Sequence, residues 1–200
     1  MRMDEFWTLV EQAREDAVEG GGPWPSGDAV GAALADRLAR LPLERILEFD
    51  HCFRRVFSRA HQWALCAAAY VIWDYISDDG FADFKAGLVG LGEEAFTQVV
   101  ADPDALAEHP MVLAIASGEV SRFSLSAEAF QFAASTAYGR VTGDEELFWE
   151  ALHGRVDRED GNRDEQGERW SGRFGSAEDV DLIPVRLPRL HALFRGEDVR

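Results

Sequence analysis

Trp73, Tyr75, Ser77, Asp78, Asp79 and Asp83 lie within one short run, and they are the residues of this chain whose types and spacing could do chemistry. Two adjacent carboxylates bind a cation or a basic group, or share one proton when buried. Trp73 and Tyr75 would wall such a site with rings. A plainer reading stands beside it. Ser or Asp at a helix start accepts hydrogen bonds from the free amides there, and a carboxylate suits the positive end of the helix. One cap position needs one such residue, whereas Ser77, Asp78 and Asp79 supply three. The run is therefore a candidate binding site, with no catalytic residue assigned.

Other chemistries fail on spacing. Asp160, Asn162 and Asp164 alternate as in a calcium loop, but Glu165 stands where glycine is needed and Ser171 where the bidentate glutamate belongs. His51, His61, His109, His153 and His191 are scattered, without H-E-x-x-H or C-x-x-C, which argues against zinc. Gly20 to Gly22 lack the lysine of a phosphate loop, and no G-x-S-x-G elbow occurs. His51 and Cys52 are chain neighbours, about 100° apart on a helix rather than face to face. Cys52 and Cys66, if on one helix, sit about 21 Å apart, beyond disulfide reach. No metal and no cofactor is expected, and the reading leans away from an enzyme.

The element that must position the candidate site precedes it. Apolar residues recur at Ile46, Phe49, Phe53, Val56, Ala60, Trp63, Ala67 and Tyr70, in steps of three and four, on one helix face. No Gly or Pro falls between Leu43 and Asp79. Two readings stay open: one helix of roughly 30 residues spanning about 45 Å, or a pair joined near Ser58 to His61. The first half is amphipathic. The second, WALCAAAYVIW, is apolar nearly all round and should be buried on most sides, ending near Ile76.

Around it the spacing predicts further helices. Asp4 opens a first one carrying Phe6, Trp7 and Val10 inward, and Asp28 a second with Leu34 and Leu38. Trp24, between two prolines, is either an exposed handle or, more in keeping with the gain of about 2–3 kcal/mol from burying a large ring, folded back on the body. Gly80 to Leu91 reads as a helix, as does a short one opened by Glu93 and Glu94. Asp102 and Pro103 restart the chain for a short helix from Asp104 to Glu108, and MVLAIASG after Pro110 has no clear type. Ser126 caps Ala127 to Val141, and Asp144 caps Glu145 to Leu152. Residues 154–181 read as a polar acidic surface loop, Leu182 to Val185 as extended chain, and PRLHALF as a closing helix within 182–200. The expectation is an all-α fold: one helical domain, 1–153 with the C-terminal segment packed on it, of about seven or eight helices around a long central buried helix.

The run from WALCAAAYVIWDYISDDGFADF to ADPDALAE, with the opening MDEFW, resembles a bacterial family catalogued as domain of unknown function 4240. The resemblance covers roughly Met3 to Gly143, with LPRLHALF a further point of likeness. Members often carry small residues where this chain has Trp73, Asp74 and Tyr75. The resemblance implies a helical fold unit and transfers no catalytic residue.

Composition narrows the partners. Of 200 residues, 37 are acidic and 20 basic, for a net charge of −17, and 46% are hydrophobic. Such a surface repels phosphate backbones and anionic lipid, so neither nucleic acid nor membrane is expected as a partner. The acidic N-terminus lacks the apolar run of a signal peptide, no stretch reaches the roughly 18 apolar residues of a span, and the thiols suit a reducing compartment, so a cytoplasmic location is expected. The leading expectation is a non-enzymatic interaction or regulatory domain whose acidic, aromatic surface binds a protein partner, favouring a basic one. A protective binder of a basic toxic enzyme is one concrete form. The alternative is a small-molecule or cation site, or an uncharacterised enzyme, at the Trp73–Asp83 junction.

Overall fold

The computed structural model describes residues 1–21, 23–159 and 174–196. Those residues form an all-α protein without strands. The helices are α1 (Met3–Gly21), α2 (Gly27–Leu38), α3 (Leu43–Arg59), α4 (Trp63–Trp73), α5 (Asp78–Gly90), α6 (Glu93–Ala101), α7 (Pro110–Ala116), α8 (Glu128–Gln131), α9 (Ala133–Thr142), α10 (Glu146–Glu159), α11 (Ala177–Arg186) and α12 (Pro188–Arg195). Two 3₁₀ turns, Pro103–Glu108 and Arg122–Leu125, join the set.

The central stretch takes the two-helix form. Gln62 is extended (φ −131°, ψ 145°), and its side-chain amide donates to the Arg59 and Val100 carbonyls at 2.9 and 3.3 Å. The break has a geometric cause. A domain of this length has a radius of gyration of about 16 Å, so a straight helix of about 45 Å would carry part of its apolar face out of the core. Bending lets α3 bury Ile46, Phe49, Phe53 and Val56 against α1, α5, α9 and α10. It also sets α4 at a second centre, among α5, α11, α12 and both 3₁₀ turns. Leu65 to Ala69 and Val71 to Trp73 are all buried, as the all-round apolar pattern requires.

More helices form than expected because local caps divide the longer patterns. Ser26, not Asp28, caps α2, its Oγ accepting from the Ala29 amide at 3.2 Å. Asp28 reaches across to accept from the Ala129 amide at 2.9 Å, and Ser126 makes no side-chain cap there. The predicted Ala127–Val141 helix splits at Phe132 into α8 and α9. MVLAIASG supplies most of α7. Trp24 is folded back and half-buried, donating to Glu119 at 3.3 Å.

The largest correction lies in the C-terminal third. Residues 154–159 continue α10, and 177–186 form α11 where a loop and an extended segment were expected. A capping box between Ser176 and Asp179 starts α11, and Ile183 anchors it. Residues 160–173, including the whole of the calcium-like Asp160–Ser171 run, lie outside the described residues. The closing helix forms as α12, with Leu187 and Leu190 buried. No helix among the described residues is long and apolar enough to cross a membrane.

Candidate functional site

Helix α4 stops because Asp74 turns left-handed (φ 69°), its N–H donating to the Tyr70 carbonyl at 2.9 Å. A non-glycine residue rarely adopts that conformation, and Asp is among those that tolerate it. The helix therefore ends at Trp73, not near Ile76. The Asp74 carboxylate is also held by Arg195 of α12.

Ser77 is the N-cap of α5, its Oγ accepting from the Gly80 amide at 3.1 Å. One residue thus fills the cap. Asp78 and Asp79 follow in the first helical turn, exposed, and neither has a hydrogen-bond or ion-pair partner among the described residues. The charge of Asp78 is felt at Cys66 of α4, that of Asp79 at Asp83. A shared proton needs burial, which they lack.

Asp83 faces a different neighbourhood from Trp73 and Tyr75. It is half-buried and accepts from Gln131 Nε2 of α8 at 2.6 Å. Burial, then the charges of Glu128, Asp28 and Asp79, raise its pKa above the ordinary carboxylate value, while the Gln131 bond opposes them. It belongs to the α5–α8 seam, and the candidate set divides there.

Trp73 is the structural centre of what remains. It is buried, with its ring edge-on to Phe84 at 5.4 Å and 5.7 Å from the ring of Phe123. Its carbonyl accepts from Arg122 Nη1 at 3.3 Å. Its indole N–H is the one fully buried side-chain polar atom without a partner among the described residues. Leaving such a donor unpaired costs about 1–3 kcal/mol. The Phe123 ring beside Trp73 is 56% exposed, and Tyr75, two positions after Trp73 in the chain, is 71% exposed.

Arg122 and Phe123 were not singled out from sequence, because no periodicity marks a four-residue 3₁₀ turn. Gly87 places that turn. A Cβ there would stand 1.8 Å from the Leu125 carbonyl oxygen, so the turn can lie on α5 only over a glycine.

A second polar place was also missed. Glu11, Arg14, Leu91, Glu94, Ala95, Gln98 and His109 line an open cleft of about 420 Å³. Glu11 caps α6 from a distance, accepting from the Glu93 amide at 3.2 Å, and pairs with Arg14. His109 Nδ1 accepts from the Met111 amide at 3.2 Å, so its proton sits on Nε2. Burial, then the Arg14 charge, pushes the His109 pKa down. The sequence signal was faint, since the lining comes from α1, α6 and the segment before α7. Among the described residues no three His, Cys, Asp or Glu side chains are grouped to hold a metal ion.

Fold and site together define an all-α protein whose candidate site is an aromatic and acidic surface junction. The chain belongs to the family described as protein of unknown function (DUF4240), which matches residues 1–140. No curated protein and no solved structure matches it.

Proposed function

We propose that this protein is a non-enzymatic interaction module that binds a basic partner protein at the junction of α4 and α5. One observation carries the reading: the buried Trp73, its indole N–H without a partner among the described residues, packs beside the exposed ring of Phe123, and the exposed Tyr75 follows two positions on in the chain. Aromatic side chains anchor interfaces because they bury much area at small entropic cost, and such anchors commonly supply 2 kcal/mol or more each. Asp78 and Asp79 follow at the start of α5, exposed and without partners among the described residues, so a cation can approach without first breaking an ion pair among those residues. The net charge of −17 would steer a basic partner to this surface and speed encounter. On this reading the module works in the cytoplasm and regulates what it binds.

The test is affinity capture from native lysate with three baits: wild type, Asp78→Ala/Asp79→Ala, and Tyr75→Ala, each shown to be folded by circular dichroism. The expected result is a stoichiometric basic protein held by wild type, with an affinity about 30-fold weaker for Tyr75→Ala and strongly salt-dependent binding. Equal capture by all three baits, or capture of no protein, overturns the proposal.

A further inference from the structure

Lys85 is the one lysine of the chain, and α5 carries it into the interior, where it is 7% exposed. Its Nζ stands 3.9 Å from the centre of the Phe57 ring and 5.1 Å from that of Phe81. Among the described residues it has neither an ion pair nor a hydrogen bond. Carboxylates are not scarce in a chain with 37 acidic residues. Arg37, Arg45, Arg54, Arg140 and Arg189 each hold at least one. The interior lysine has been given rings instead.

That setting favours the free amine. The π faces return part of the lost hydration, but burial dominates and pushes the Lys85 pKa down to about 8. The titratable group felt at Lys85 is Cys66 of α4, and it supplies no thiolate. Burial, then the charges of Asp78 from α5 and Asp179 from α11, push that thiol up to about 12. His61 lies beyond the Phe81 ring, 5.9 Å from its centre. A lysine desolvated in an apolar pocket is one of the general forms of an activated nitrogen nucleophile.

We propose that Lys85 is a carbonyl-reactive amine, set between Phe57 and Phe81 to take a small uncharged aldehyde or ketone as a Schiff base. The Nζ lone pair forms the C–N bond while the carbonyl π pair moves to oxygen, which gains a proton as nitrogen loses one. The carbinolamine then expels its oxygen as water to leave the imine. No oxidant or reductant enters, and hydrolysis reverses the step. The carbonyl compound is uncharged because phenyl rings line the amine. This proposal does not depend on the partner surface proposed above.

A single lysine makes the test direct. The full native chain is incubated with butanal and sodium cyanoborohydride, which traps an imine as the butyl amine, from pH 6 to 10. Peptide mass mapping then separates Lys85 from the Met1 α-amine, and an acetyl-lysine amide serves as the rate standard. At pH 7.5 a group with pKa about 8 carries about 200 times more free amine than an ordinary lysine. Labelling of Lys85 at least about 10-fold faster than the standard, with a pH midpoint near 8, is the expected result. Labelling no faster than the standard, a midpoint near that of an ordinary lysine, or faster labelling of the urea-unfolded chain than of the native one would each overturn the proposal.

Discussion

Asp104 should be the most costly exposed-to-buried polar contact to lose in the C-terminal third, and its role can be worked through atom by atom. Helix α12 begins with Pro188, which has no N–H, and its N-cap residue Leu187 offers no side-chain cap. The next two amides, Arg189 and Leu190, are free donors at the start of the helix. Asp104 is 6% exposed and receives both: Oδ2 accepts from the Arg189 amide at 3.1 Å and Oδ1 from the Leu190 amide at 2.9 Å. Oδ2 also accepts from Arg189 Nε at 3.0 Å, while the rest of that guanidinium holds Asp102 and Glu108. One carboxylate thus caps a helix distant in the chain, its two amide bonds joining residues 85 and 86 positions apart. Asp104→Ala strands two amides at a buried contact and removes one of three carboxylates from Arg189. Hydrogen bonds to charged groups contribute about 1.5–3 kcal/mol each, less what solvent returns to the half-exposed Arg189, so the loss should be about 3 kcal/mol. In a chain of this size that lowers Tm by about 6–12 °C. Asp104→Asn keeps one acceptor and the shape, and should lose about half as much. Denaturant unfolding gives the totals, and hydrogen exchange read by mass spectrometry gives the place. Exchange should rise first in α12 and the Pro103–Glu108 turn while α3 keeps its protection. An Asp104→Ala protein within 0.5 kcal/mol of wild type, or one whose exchange rises evenly across α3 and α12 alike, would refute the reasoning.

Two further outcomes follow from the junction and its neighbour. Ser77→Ala should cost about 1 kcal/mol in a urea titration because it removes the cap, whereas Asp78→Ala and Asp79→Ala should each cost only a few tenths through the helix dipole; a larger loss at either aspartate than at Ser77 would show that the cap has been misassigned. Asp83 has its folded pKa raised, chiefly by burial and then by Glu128, Asp28 and Asp79. Its protonated form is the favoured one in the fold, so its contribution is full below the unfolded carboxylate pKa and is lost as pH rises through the higher folded value. Asp83→Asn, which keeps an amide oxygen for Gln131, should therefore be more stable than wild type at pH 7, with the gap closing as pH falls below about 4; a gap that is constant across that range would mean that charge is not the cause.

What the sequence made legible follows from where the deciding forces lie. The burial of Ile46, Phe49, Phe53 and Val56, and of almost all of WALCAAAYVIW, is local information, since period and composition alone say which faces must leave water. Ser77 as a cap, Asp144 accepting from the Glu146 amide at 2.9 Å, and Gly143 as a left-handed stop are local for the same reason. The break at Gln62 was one of two readings open from sequence, and no local signal chose between them, because compactness of the whole domain decides it. Ser26 and Asp28 show the same division. Both are good cap residues two positions apart, and only the arrival of α8 assigns one to α2 and the other to Ala129. Residues 177–186 were hidden by their polarity and by Pro184, yet Ser176, Asp179 and the Trp63 indole together make a helix start, with Asp179 Oδ1 accepting from Trp63 Nε1 at 2.6 Å.

The candidate site divides along that same line. The acidic run was visible, but which carboxylate faces what depends on packing between distant segments: Asp83 meets Gln131, Asp74 meets Arg195, and Phe123 covers Trp73. Lys85 is a single lysine in the composition, and its meaning changes only with its place. On a surface, one lysine among arginines would say little. Buried over two rings in a chain rich in carboxylates, it is a group whose charge the fold penalises and, among the described residues, does not pair. A structural cation would gain from a carboxylate at that position, and an inert packing residue would gain from a methionine. The absence of either remedy is the physical ground for reading Lys85 as a working amine rather than as part of the scaffold.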